Sequence, residues 1–323
     1  MSYPPAVQEA QHRVTPLRLW PGICAVAFIA HSTIAFAADV SAQVRVGAQA
    51  RTFSVHVPDR APPAGGYPLI LAFHGGGMQG EGMRRLTHLD DVADARDVVV
   101  IYPDGVGRHW NDGRSTIKNP QDDVRFITAI IDRAQHDYHV NPHQVYATGI
   151  SNGALFAERL GCDLSERIGG IAAVAGTMPV DIAARCRPSH PVAVLQIDGN
   201  ADPIMPFEGG AVADFGGAGE GGQVLSVAAT VASWAQRNGC ARAEPAQLLA
   251  PVAALDRTRV SRTDYAGCAA GAPVTAYTVL GGGHTWPGGP QYARPRIVGW
   301  ASMQLDASST IVDFFLAQTP RAR

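Results

Sequence analysis

Residues 144–160 constrain the fold more than any other stretch. A short β-rich segment, Gln144 to Thr148, runs straight into Gly149-Ile150-Ser151-Asn152-Gly153, and Ala154 to Leu160 then reads as a helix. A strand that turns into a helix this tightly brings two backbones together, so the positions two before and two after the turn residue must be tiny. The helix N-terminus behind the turn favours negative charge in front of it. A G-x-S-x-G in this context is the signature of a nucleophile elbow.

Other segments supply the surrounding sheet. Arg51 to Pro58 alternates, with Phe53, Val55 and Val57 on one face. Leu69 to Phe73, Val98 to Tyr102, Ile171 to Val174 and Val192 to Ile197 are continuous apolar runs, as expected of strands buried on both faces. Thr275 to Leu280 is a further strand. Helical spacing recurs in Val124, Ile127, Ile130 and Ile131, with Asp122 or Asp123 at the N-cap and Asp123 favoured, and again over Ser226 to Asn238 and Ser309 to Ala317. Strands alternating with helices predict an α/β fold with a doubly wound, mainly parallel sheet and helices on both faces. Phe207 to Gly222 is Gly-rich and reads as a surface loop.

Composition narrows the function. The 323 residues are 46% hydrophobic and 17% charged, with a formal net charge of −2. That excludes a disordered chain and gives no basic surface for nucleic acid. Lys118 is the only lysine and lies in a polar loop, so Schiff-base chemistry is set aside. No metal-ligand cluster or dinucleotide glycine motif is present, so neither a metal nor a cofactor is expected.

The N-terminus reads as a signal peptide, residues 1–37. Arg13 and Arg18 precede an apolar stretch from Leu19 to Ala30, and Ala35-Phe36-Ala37 offers a cleavage point after Ala37. His31, Ser32 and Thr33 interrupt the run before the roughly 20 residues that a span needs, so no stable membrane anchor is expected. Cleavage would leave a single catalytic domain over 38–323, secreted or periplasmic. It removes Cys24 and leaves Cys162, Cys186, Cys240 and Cys268, an even number consistent with two disulfides in an oxidising compartment. Sequence proximity favours Cys162–Cys186 and Cys240–Cys268, each contributing roughly 3 kcal/mol by the chain-entropy model.

Ser151 needs a base and an acid. In elbow proteins these follow in the order Asp/Glu, then His, on loops after strands. Ile197 leads into Asp198-Gly199-Asn200-Ala201-Asp202, and Leu280 leads into Gly281-Gly282-Gly283-His284. His284 is the only histidine after His190. Asp202 is favoured as the acid, with Asp198 in the same loop as the alternative. For an oxyanion hole, the Asn152 amide follows from the elbow. A second N–H would come from His74-Gly75-Gly76-Gly77, with Gly76 favoured and Gly77 next. His74 itself reads as structural. Trp286, two residues from the base, and Trp110 are candidates for lining the substrate pocket.

Several segments together resemble the secreted polyhydroxybutyrate depolymerase and feruloyl esterase-like family of α/β-hydrolases, over about Arg51 to Pro290. They are Gly149 to Gly153, Asp122-Asp123-Val124 with Phe126, Gly199 with Ala201-Asp202-Pro203, Trp234 with Asn238-Gly239-Cys240, and Gly281 through His284-Thr285-Trp286-Pro287-Gly288-Gly289. The resemblance implies a serine esterase with nucleophile, acid and base at Ser151, Asp202 and His284. Two departures stand out: Asp198-Gly199 where the family usually has His-Gly, and Ala154 where it often has Gly. Acyl transfer would follow, with activity falling at low pH as His284 protonates.

No separate surface-binding module is expected, which favours soluble esters (hydroxyalkanoate oligomers, feruloyl or acetyl sugar esters) over solid polymer. The alternatives are a serine peptidase of the prolyl-oligopeptidase kind and a non-catalytic binding protein on the same fold.

Overall fold

A computed structural model describes residues 1–2, 38–214, 219–268 and 272–318. The expected signal peptide therefore lies outside the described residues apart from Met1 and Ser2, as do Cys24 and the cleavage point after Ala37.

The chain enters through an antiparallel hairpin, β1 (Ala38–Val46) and β2 (Gln49–Val57). Then come β3 (Tyr67–Phe73), α1 (Gly80–Thr87), α2 (Leu89–Arg96), β4 (Val99–Pro103), α3 (Asp123–Asp137), β5 (Val140–Ile150) and α4 (Asn152–Asp163). The second half runs β6 (Gly170–Val174), α5 (Val180–Ala183), β7 (Ala193–Gly199), the two-residue strands β8 (Gly210–Ala211) and β9 (Gln223–Val224), and α6 (Val227–Arg237). Finally come β10 (Arg242–Ala243), β11 (Gln247–Leu248), β12 (Arg259–Ala266), β13 (Val274–Leu280), α7 (Pro295–Val298) and α8 (Ala307–Leu316).

Among the described residues one large sheet has the order β1-β2-β4-β3-β5-β6-β7-β13-β12-β10, with β11 on β12. From β4 to β13 all neighbours are parallel. The antiparallel pairs sit at the two edges: β1–β2 and β12–β13 are consecutive strands that pair without a crossover helix, and β2 lies antiparallel on β4.

The apolar runs are explained by cores on both faces. On β3, Leu69, Leu71 and Phe73 join the core under α3, α4 and α6, while Ile70 and Ala72 join the core under α1, α2 and α8. A strand side chain alternates faces, so a strand with two buried faces must be apolar at every position. Helices α1 and α2 and strand β12 went unread in the sequence. Their patterns are short, and β12 is half exposed at the sheet edge.

Two polar readings resolve in detail. Asp122, not Asp123, caps α3 by accepting from the Arg125 amide. Asp123 is instead buried, paired with Arg51 at 2.7 Å and accepting from the Asn111 amide, so its expected cap role is corrected to a loop anchor. The cysteines pair Cys162–Cys186 and Cys240–Cys268. No helix among the described residues is long and apolar enough to cross a membrane.

Behind the elbow, Glu158 on α4 is fully buried. Oε2 accepts from Trp234 Nε1 at 2.6 Å, and Oε1 has no partner among the described residues. Burial raises its carboxyl to about 8. A folded value above the unfolded one means the folded state holds the proton more tightly. The contribution to stability is complete below the unfolded value and is lost as pH rises through about 8. Glu158→Gln is therefore expected to gain thermal stability relative to the parent as pH goes from 5 to 9. Melting curves across that range check this, and a gap that does not change with pH would contradict it.

Candidate active site

The C-terminal ends of β3, β5, β7 and β13 converge on one cavity of about 910 Å³. Its wall includes Gly75 to Gly77, Ser151, Asn152 and His284. Segments far apart in sequence meet there because the carboxyl ends of parallel strands open onto the same side of a sheet.

Ser151 stands between β5 and α4 at φ 57°, ψ −126°, an energetically unfavourable conformation for a residue with a β-carbon. It is held by its amide, which donates to Val174 O, and by its carbonyl, which accepts from Leu155 N, both at 3.0 Å. The flanking glycines are required by contact. A β-carbon on Gly149 would lie 2.5 Å from Gly153 C, and one on Gly153 would lie 2.3 Å from Phe73 O.

His284 lies in the loop after β13. Its amide donates to Val298 O at 2.5 Å, and its carbonyl accepts from the Tyr292 hydroxyl at 2.6 Å. Burial, then the Asp202 charge, raises the Tyr292 phenol well above its ordinary value, so it stays a donor. His284 Nδ1 is 2.8 Å from Asp202 Oδ2, with the two side chains 5% and 1% exposed. An ionised carboxylate only accepts, so Nδ1 carries the proton and Nε2 keeps its lone pair. Asp202 is fixed in turn, because Oδ1 accepts from the amides of Ile204 at 2.7 Å and Met205 at 2.9 Å.

Asp198 has a different environment. Its oxygens accept from Gly176 N at 3.0 Å and Gln196 Nε2 at 2.7 Å, and burial raises its carboxyl to about 8. It is Asp202 that reaches the imidazole.

The two backbone N–H groups expected as oxyanion donors belong to residues that line the same cavity as the serine. The Asn152 amide opens α4, where first-turn N–H groups have no intrahelical acceptor. Gly77 N–H is spent on Arg108 O at 2.9 Å, whereas Gly76 N–H meets no acceptor among the described residues. Below them His74 is fully buried. Its Nδ1 donates to Gly75 O, and Nε2 accepts from the Gly105 amide. Burial lowers it to about 4, so the ring stays neutral.

The two tryptophans are not on the cavity wall. Trp286 is 1% exposed in the core under α8, and its Nε1 donates to Ser308 Oγ. Trp110 stacks on Phe156 at 5.1 Å in the opposite core, and its Nε1 donates to His74 O. Both expectations of pocket contact are corrected. Nearness to His284 in sequence did not carry over, because the next turn of the loop aims the large ring inward. The wall instead carries Met78, Leu86, Ile204, Met205 and Val212, with Arg108, Glu81 and Glu220 among its charged groups. The Gly-rich segment supplies part of it, and Arg114 and Tyr292 were missed in the sequence.

Among the described residues, Asp39, His56 and Asp90 bring possible metal-ligand atoms within 4.8 Å of one another. Arg84 already bridges the two carboxylates there.

A mainly parallel sheet with a strained serine after β5 and a histidine–carboxylate pair after β13 and β7 is the architecture of the α/β-hydrolases. The chain is 36% identical over 293 residues to a protein of Nocardia uniformis subsp. tsuyamanensis named "Putative esterase NocK", spanning 88% of this chain and 84% of that one. It is 28% identical over 241 residues to "Probable feruloyl esterase C" of Aspergillus clavatus, spanning 72% of this chain and 75% of that one. Acetyl xylan esterase from Aspergillus awamori superposes with a TM-score of 0.56 at 14% identity, over 76% of this chain and 94% of that one, a likeness of fold. No family model matches the chain. The chain belongs to the feruloyl esterase-like family of α/β-hydrolases and is a carboxylic ester hydrolase.

Proposed function

We propose that the chain is an exported serine esterase working through an acyl-enzyme, with Ser151 as nucleophile, His284 as base and Asp202 as its orienting carboxylate. The observation that carries this reading is the 2.8 Å contact of His284 Nδ1 with Asp202, in a ring that shares the cavity wall with Ser151. Nε2 accepts the Ser151 proton as Oγ attacks the ester carbonyl, and the imidazolium is stabilised by Asp202. The amides of Asn152 and Gly76 hold the tetrahedral oxyanion. His284 then protonates the leaving alcohol, and a water repeats the cycle to free the acid.

The substrates proposed are soluble esters: feruloyl or acetyl esters of sugars first, with hydroxyalkanoate (polyhydroxybutyrate) oligomers second. The relatives named feruloyl esterase support that order, and the aliphatic wall suits an acyl group. Residues 38–323 are read as a single catalytic domain, released after Ala37 into an oxidising compartment, a location consistent with the two disulfides.

A panel of methyl ferulate, acetylated xylo-oligosaccharide and 3-hydroxybutyrate oligomers tests the substrate class. The expected result is highest kcat/KM on the first two. Preference for the hydroxybutyrate oligomers would reverse the order, and hydrolysis of none of the three would contradict the proposed substrates.

A further inference from the structure

The Asn152 side chain is held more tightly than an exposed helix start requires. Its Oδ1 accepts from Trp110 N at 2.8 Å, and its Nδ2 donates to Trp110 O at 3.1 Å and to Asp112 Oδ2 at 2.7 Å. The oxygen and the amide hydrogens are all engaged, and reversing the amide would set oxygen against oxygen at two of the three contacts. Asp112 is completely buried, 40 residues before Asn152 in the chain, on the loop between β4 and α3.

A buried carboxylate is tolerated only when paired. Asp112 is paired with Arg114, whose Nη2 lies 2.7 Å from Oδ2 and whose Nε lies 3.0 Å from Oδ1. Arg114 also donates from Nη1 to Gly221 O and lines the cavity. The pair thus joins the elbow to the Gly-rich segment that lines the same cavity.

We infer that Asp112 is a positioning residue for the oxyanion hole: through the Asn152 side chain it fixes the direction of the Asn152 backbone N–H, with Arg114 neutralising its charge. This inference rests on the proposed role of that amide. The loop clamp matters because donors stabilise an oxyanion only when aimed in advance at where its charge develops. Without Arg114 the same carboxylate would place an uncompensated negative charge beside the site.

Asp112→Leu removes the acceptor at similar size, and Asp112→Asn keeps an oxygen for Asn152 Nδ2. The first is expected to lower kcat on p-nitrophenyl acetate by about 30-fold with KM within about 2-fold, a partial loss of one oxyanion donor. The second should recover most of that loss. The inhibition constant of a trifluoromethyl ketone, which forms the tetrahedral adduct, should rise by the same factor as kcat falls, a correlation that mere loosening of the fold would not give. Should Asp112→Leu fail to fold, Asn152→Ala provides the same test, since it keeps the backbone donor but loses the clamp, and it too should lose about 30-fold in kcat. A folded Asp112→Leu or Asn152→Ala protein with parental kcat and parental ketone affinity would overturn the inference. Ser151→Ala separates the two levels: if it abolishes turnover while the Asp112 and Asn152 variants do not change it, the positioning role alone fails.

Discussion

Ser151→Ala is expected to lower kcat on the best ester by about four to six orders of magnitude, with the fold intact. The substitution removes only Oγ. Alanine keeps the β-carbon, so the conformation at φ 57° is no harder to hold than before, and the amide and carbonyl bonds to Val174 and Leu155 remain. The melting temperature should therefore stay close to the parent's while turnover disappears. The site left behind would keep the proposed donors, the amides of Asn152 and Gly76, so some rate above water is expected to survive. Steady-state kinetics beside a melting curve checks both halves. A parental rate in a folded Ser151→Ala protein would remove the serine from the mechanism.

The second large effect is at the carboxylate. Asp202→Asn should cost about 10⁴-fold in kcat while changing little in binding. The direction follows from this site's bonds. Oδ1 is committed to the Ile204 and Met205 amides, which demand an oxygen there. An asparagine would therefore turn its NH2 toward His284 Nδ1, and that nitrogen would have to become an acceptor. The proton moves to Nε2, which can then no longer take one from Ser151. Asp198→Asn is the companion measurement. Asp198 is buried against Gln196 and Gly176, so its substitution should leave the kinetics near parental. A large loss there with none at Asp202 would exchange the two roles.

How far the site could be read in advance tracks how local its determinants are. The elbow is a five-residue motif whose glycines are fixed by contacts among themselves and with the neighbouring strand. Strand-end His284 and the Asp198–Asp202 loop were legible for a related reason: each follows a buried apolar strand, and parallel strands all end on the same side. The parallel core from β4 to β13 shows as apolar runs because both its faces are covered. Long-range placements were not legible. Trp110 and Trp286 carry no mark in sequence that tells a pocket ring from a core ring, and both turned inward. Asp112 and Asp123 look like ordinary polar loop residues, yet each is a buried charge whose partner is set by the folded loop. What favours Gly76 over Gly77 as the proposed donor is one bond, Gly77 N–H to Arg108 O, made only in the folded chain.

In the proposed mechanism a covalent acyl group passes through the oxygen of Ser151. The most direct measurement is intact mass followed by peptide mapping of protein quenched during turnover of p-nitrophenyl acetate. One acetyl adduct is expected, on the peptide containing Ser151, disappearing as substrate is exhausted and missing from the Ser151→Ala protein. Rapid hydrolysis with the adduct on another residue would contradict it.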